Sequence, residues 1–127
     1  MLEKSDIVCF AASSKPDEAR AFYGEVLGLE SVEETPFAMV FRSNGVVLRV
    51  QKVERVHAAP YTLIGWEVVD IDATVARLSD RGVVFERFEW IEQDEAGIWT
   101  VPDGTKVAWF KDPDSNLLSL SQVPRAA

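Results

Sequence analysis

The sequence predicts an α+β fold made of two tandem βαβββ modules whose strands build curved mixed sheets around a groove. Three observations carry that prediction. Apolar residues alternate in short runs of strand length, two amphipathic helical stretches each end on a glycine, and the whole order recurs after about 55 residues.

The first module spans residues 5–53. Ser5 to Ala12 alternates as a strand. Ser14-Lys15-Pro16-Asp17 then reads as a helix start, with a serine cap, proline in the first turn and an acid three residues after the cap. Ala19, Phe22, Tyr23, Val26 and Leu27 fall on one stripe of that helix, and Gly28 stands where a left-handed cap is wanted. Three strands follow, at Leu29 to Glu34, Phe37 to Arg42 and Val46 to Val53. The last two are joined through Asn44-Gly45, a strong hairpin signal between apolar runs.

Residues 54–60 are the expected linker, and residues 61–122 repeat the order. Leu63 to Val69 is a strand, and Asp70 caps a helix with Ile71, Val75 and Leu78 on one stripe. Gly82 closes that helix as Gly28 closes the first. Strands are expected at Val83 to Phe88, Lys106 to Phe110 and Leu117 to Gln122, with a loop from Glu89 to Gly104. One domain of 127 residues results, long enough to bury a sizeable core.

Composition narrows the function classes. A hydrophobic share of 47% and a charged share of 27% are those of a globular protein, and no apolar run reaches the ~18 residues of a membrane span. The N-terminus lacks the basic start and apolar core of a signal peptide, and the single cysteine excludes an internal disulfide, so a cytoplasmic protein is expected. The net charge of −8 repels polyanions and argues against nucleic-acid binding.

Three motifs inside this repeat resemble a known family. Phe22-Tyr23-Gly24-Glu25-Val26-Leu27-Gly28-Leu29 is similar to the end of the first helix in the vicinal-oxygen-chelate superfamily, which includes glyoxalase I, extradiol dioxygenases and bleomycin-resistance proteins. Gly65-Trp66-Glu67-Val68-Val69-Asp70-Ile71-Asp72 resembles its second-module strand, and Asp112-Pro113-Asp114-Ser115-Asn116 its Asp-Pro-Asp-Gly-Asn turn. The resemblance runs from about Ile7 to Gln122 and implies the glyoxalase-like fold, a homodimer and a ligand groove. Ser115 replaces the usual glycine. That leaves open either a left-handed serine, at a cost of about 1 kcal/mol, or a turn of another type.

Strand alternation assigns the faces. Val8, Phe10 and Ala12, then Val46, Leu48 and Val50, then Ile64, Trp66 and Val68, then Leu118 and Leu120 are expected beneath the helices. Cys9, Arg49, Gln51, Glu67, Ser119 and Ser121 are expected toward the groove, with Val107 and Trp109 joining them if the seventh strand keeps register. Cys9 reads as a packed thiol rather than a nucleophile, because no histidine lies near it to activate it.

In metal-dependent relatives the chelating histidines or carboxylates occupy positions that fall here on Ile7, Arg49, Leu63 and Ser119. Two are aliphatic, one is a cation and one is a neutral hydroxyl, so no metal and no other cofactor is expected. The one histidine, His57, lies in the linker. A set of Glu67, Asp94 and Glu95 would need the long loop to fold inward.

The candidate ligand-binding residues are therefore Cys9, Arg49, Gln51, Glu67, Gln93, Trp99, Trp109 and Ser119, with Trp90 and Asp94 beside them. Apolar walls with sparse polar groups are the composition of small-molecule pockets. Arg49 and Glu67 read as a cross-groove ion pair or as handles for a ligand. The expected function is metal-independent binding of an amphipathic molecule, with a cationic aromatic one suited to the acidic charge and groove aromatics, as in bleomycin-resistance proteins. The alternatives are an enzyme using Glu67 as a base without metal, or a metal-dependent lyase or dioxygenase.

Overall fold

A computed structural model describes residues 1–125 and divides the chain into two compact units, Met1–Ala58 and Ala59 onward. In the first, β1 (Val8–Ser13) leads into α1 (Pro16–Ala21), which continues through a wider π-helical turn over Phe22–Val26. Then come β2 (Glu30–Glu34), β3 (Ala38–Ser43) and β4 (Val46–Lys52). The second unit has β5 (Ile64–Glu67), α2 (Ile71–Asp80), β6 (Trp99–Thr100), β7 (Lys106–Lys111) and β8 (Leu117–Gln122). The sheets run β1-β4-β3-β2 and β5-β8-β7-β6. In each, the strand before the helix pairs in parallel with the last strand, and the other pairs are antiparallel. Parallel neighbours need a long crossover, and the helix-bearing segment begins it.

The expected Ser14 cap is replaced by a neighbouring device. The N-cap residue is Lys15, without a side-chain cap bond. Ser13, fully buried, accepts from the Lys15 amide through Oγ at 3.0 Å and from the Val53 amide through its carbonyl at 2.9 Å. The stripe of α1 lands as its periodicity predicts, with Ala19 and Tyr23 fully buried and the Tyr23 ring 5.8 Å from that of Phe41. Asn44 and Gly45 both take positive φ, 47° and 82°, as a two-residue hairpin of the Asn-Gly kind requires. In the second unit the Asp70 carboxylate accepts from the Ala73 amide at 3.1 Å, and Gln122 Oε1 accepts from the Ile71 amide at 2.7 Å. Two first-turn donors of α2 are thus satisfied by side chains.

Two expectations need correction. Opposed residues on neighbouring strands point to the same side. Cys9 stands opposite Leu48 and Ala11 opposite Val50, whereas Phe10 stands opposite Arg49 and Ala12 opposite Gln51. Cys9 and Ala11 therefore lie on the core side, and Val8, Phe10 and Ala12 on the outer side with Arg49. The core side of β1 is built from small residues, Cys9, Ala11 and Ser13, while Tyr23, Phe41, Met39 and Leu48 supply the bulk. The more apolar set on β1 is the one left open, with Phe10 49% exposed.

The second correction concerns Val83 to Phe88, which forms no strand. Phe85 makes a single bridge to Phe110, and the Glu86 amide donates to the Trp109 carbonyl at 2.8 Å. Trp99 and Thr100 take the rest of the same β7 edge, opposite Val107 and Lys106. One edge is shared by two short pieces, because the Arg87 guanidinium turns the chain into a loop by donating to the carbonyls of Asp94 and Glu95.

Of the two alternatives for the Asp112–Asn116 turn, the structure has the left-handed serine. Ser115 holds φ at 68°, in the left-handed region. Replacing it with glycine relieves that strain, so Ser115→Gly is expected to stabilise the protein by about 0.5–1 kcal/mol in urea unfolding; an unchanged or lower midpoint would refute the strain.

A second prediction arises on the rim of the first sheet. Arg20 Nε and Nη2 donate to the two Glu34 oxygens at 2.7 Å each, Lys52 Nζ lies 2.7 Å from Glu34, and Arg20 also holds Asp17. Arg20 first, then Lys52, lowers the Glu34 carboxyl from 4.5 to about 2. A carboxyl whose pKa is lower in the folded protein adds stability above its unfolded value and loses it as pH falls through the folded one. The wild-type melting temperature should therefore fall more steeply between pH 4.5 and 2 than that of Glu34→Gln. Parallel curves for the two proteins would show that the network adds nothing.

An aromatic row on the outer face of the second sheet

The β8 sequence Leu117 to Gln122 alternates, so Leu118 and Leu120 turn into the core and Ser119 and Ser121 turn out. Register then places their neighbours. Trp109 stands opposite Ser119, Val107 opposite Ser121, and Trp99 opposite Val107. On the other flank Gly65 stands opposite Ser119 and Glu67 opposite Ser121. Glu67, Ser119, Ser121, Trp109 and Trp99 thus share one face, and Trp66, opposite Leu120, lies on the helix side. Gly65 has a packing reason: a Cβ built there would lie 2.7 Å from Ser119 Oγ, so the hydroxyl fills the space a side chain would take.

Four aromatic rings line up on and beside this face. Trp99 stacks on Trp109 with centroids 6.0 Å apart and planes inclined by 26°. Phe88 meets Trp109 edge-on at 5.3 Å, and Trp90 lies 5.6 Å beyond Phe88. The Trp109 indole N–H donates to Thr62 Oγ1 at 3.2 Å, which fixes the ring in its plane. Trp90 is 73% exposed. Such a row offers broad apolar area at small cost in side-chain entropy, with polar groups at its margin. Phe88, at the middle of the row, is the residue that sequence reasoning missed; its alternation with Trp90 was the available signal.

Beside Glu67 a cleft of about 470 Å³ opens at the carboxyl ends of β5 and β8, lined also by Val69, Gln122, Pro124 and Arg125. Within its own unit Glu67 has no ion-pair partner among the described residues, and the same holds for Arg49 in the first unit. Arg49 and Gln51 sit on the outer face of the first sheet, opposite Phe10 and Ala12. Cys9 does not share that face.

Gln93 lies in the loop with both ends of its amide hydrogen-bonded. Its Oε1 accepts from the Phe88 amide at 2.8 Å, and its Nε2 donates to the carbonyls of Glu86 and Gly97 at 3.0 and 2.9 Å. Both Nε2 hydrogens are thus engaged, and a direct contact to a ligand donor falls to the second lone pair of Oε1. Asp94 accepts from the amides of Ala96 and Ile98 at 2.9 Å each, both through Oδ1.

Residues 8–120 match the Glyoxalase/Bleomycin resistance protein/Dioxygenase superfamily. The chain belongs to that superfamily. Solved structures of this superfamily share the fold of the chain at low identity. A glyoxalase/bleomycin resistance protein/dioxygenase from Alicyclobacillus acidocaldarius is 19% identical with a TM-score of 0.73, covering 96% of this chain and 93% of its own. A superfamily member from Sphaerobacter thermophilus is 21% identical at 0.72, covering 96% and 99%. A lactoylglutathione lyase from Agrobacterium tumefaciens is 18% identical at 0.72, covering 94% and 93%. Among curated proteins none matches the sequence.

Membership in the superfamily raises the question of a metal, and the donor set bears on it. Of the four positions where its metal-dependent members carry ligands, this member has Ile7 and Leu63 as hydrocarbon, Arg49 as a cation and Ser119 as a neutral oxygen. Reading β1 in its observed register replaces Ile7 by Val8, which is also aliphatic. Divalent ions need several anionic or imidazole donors, and a guanidinium at one position repels them. Among the described residues no three His, Cys, Asp or Glu side chains gather at one point. The superfamily's usual metal does not fit this donor set. No helix of this member is long and apolar enough to cross a membrane.

Proposed function

We propose that this chain is a metal-independent small-molecule-binding protein of the glyoxalase/bleomycin-resistance type, and that its ligand is amphipathic, with a flat cationic aromatic part. The observation that carries the reading is the row Trp99–Trp109–Phe88–Trp90, with the carboxylate of Glu67 on the same sheet face as Trp99 and Trp109, across strand β8 from them. Rings of this kind stack on flat ligands and attract cations over their faces. Glu67, which makes no ion pair within its unit among the described residues, supplies the complementary charge, and Ser119 a hydroxyl that orients. Arg49 and Gln51, on the outer face of the first sheet, are proposed as ligand-binding residues of the first unit. The reading places the protein in the cytoplasm as a homodimer, which sedimentation of the purified protein tests.

A thermal-shift screen tests the function. The panel contains bleomycin, the planar dye ethidium, a glutathione thioether and small aromatic acids, each with and without manganese, nickel or zinc. A ligand at a hundredfold its dissociation constant adds about 2.7 kcal/mol, seen as a raised melting temperature. Stabilisation by the cationic aromatics, indifferent to metal, is the expected result. Stabilisation by metal alone, or only by the thioether with metal, would overturn the proposal and favour a metal-dependent lyase.

A further inference from the structure

We propose that Gln93 is a positioning residue, whose side-chain amide stands in for a strand and so holds the aromatic row in its ligand-ready arrangement. The inference rests on the ligand-binding reading above. It starts from the hydrogen-bond pattern of the loop between Glu86 and Ile98.

The Gln93 amide accepts from the amide of residue 88 and donates to the carbonyl of residue 86. A parallel neighbouring strand would bind the chain around residue 87 in the same way, accepting from one flanking residue and donating to the other. The second Nε2 hydrogen goes to the Gly97 carbonyl, two residues before Trp99. One carboxamide therefore ties the segment bearing Phe88 and Trp90 to the segment bearing Trp99. These are the two pieces that share the β7 edge, where a continuous strand would have needed no such tie. The Gln93–Trp99 bridge, the Asp94 turn and the Arg87 clamp close the rest of the loop.

The chemistry demands this side chain. Only a carboxamide offers one acceptor and two donors at its tip, and asparagine is one methylene shorter. Glutamate in its place presents only acceptors to two carbonyls at neutral pH, and one donor once protonated. The charged groups on the tied segments are Glu86, held by Lys111 at 3.5 Å, together with Arg87, Glu89, Glu92, Asp94 and Glu95. Facing two carbonyls raises the pKa of a carboxyl at position 93.

The test uses the full chain and two variants, Gln93→Met and Gln93→Glu. The stacked pair Trp99–Trp109 should give an exciton couplet in far-ultraviolet circular dichroism, assigned by its loss in Trp99→Phe. Gln93→Met is expected to lose the couplet and bind ethidium about tenfold more weakly, as two or more lost hydrogen bonds imply. Gln93→Glu should lack the couplet at neutral pH and regain it on acidification, while the wild-type couplet stays flat over the same range. That reversible return separates positioning from misfolding. A couplet unchanged in both variants would overturn the proposal, as would a lost couplet with unchanged ethidium affinity. If ethidium fails to bind the wild type, the ligand reading falls, and the couplet alone decides whether Gln93 sets the row.

Discussion

Asp112→Ala is expected to destabilise the protein by roughly 3 kcal/mol, a large fraction of the 5–15 kcal/mol typical of a whole domain. The Asp112 carboxylate is buried and accepts three hydrogen bonds, from the amides of Asp114 and Asn116 at 2.9 Å and from Asn116 Nδ2 at 2.8 Å. Alanine removes that acceptor from three donors, two of them on buried Asn116, beside the fully buried Phe110 and Leu118, and losing the partner of a buried donor costs about 1–3 kcal/mol before relaxation. Asp112→Asn keeps an acceptor oxygen and should lose less. Urea unfolding followed by tryptophan fluorescence reads the difference as a shifted midpoint. A shift under about 0.5 kcal/mol would mean that water replaces the carboxylate without loss.

The second large effect is on binding. Trp99→Ala and Trp109→Ala should each weaken the best cationic aromatic ligand by about 30-fold, the order of 2 kcal/mol that a tryptophan anchor contributes. The two rings stack on each other, so the double variant should lose less than the sum of the two singles. Fluorescence titration of the three variants provides the cycle. Additive losses would show that the rings act as separate contacts rather than as one platform.

What the sequence revealed, and what it hid, follows from the kind of information each element carries. The stripe of α1, the cap of α2 by Asp70 and the Asn44-Gly45 hairpin are local, and periodicity or turn chemistry specifies them alone. The common outward face of Ser119 and Trp109 also follows from alternation, since both strands are regular. The face of β1 was not legible. Both of its residue sets are apolar or small, and only the register against β4 distinguishes them. Strand β6 is two residues long, too short for any pattern, and it exists because Val83 to Phe88 leaves part of the β7 edge open. The tie made by Gln93 joins segments several residues apart through a side chain, which no spacing rule expresses.

The most direct test of the account uses the four tryptophans as reporters within one protein. Three of them, Trp90, Trp99 and Trp109, belong to the aromatic row, and Trp66 lies on the opposite, helix-packed side of the sheet. Indole N–H resonances, assigned by single phenylalanine variants, are followed as the stabilising compound is titrated in the presence of a chelator. The account predicts saturable shifts at Trp90, Trp99 and Trp109 with Trp66 unmoved and no change when metal is added. Shifts confined to Trp66 or to the first unit, or binding that appears only with metal, would contradict it.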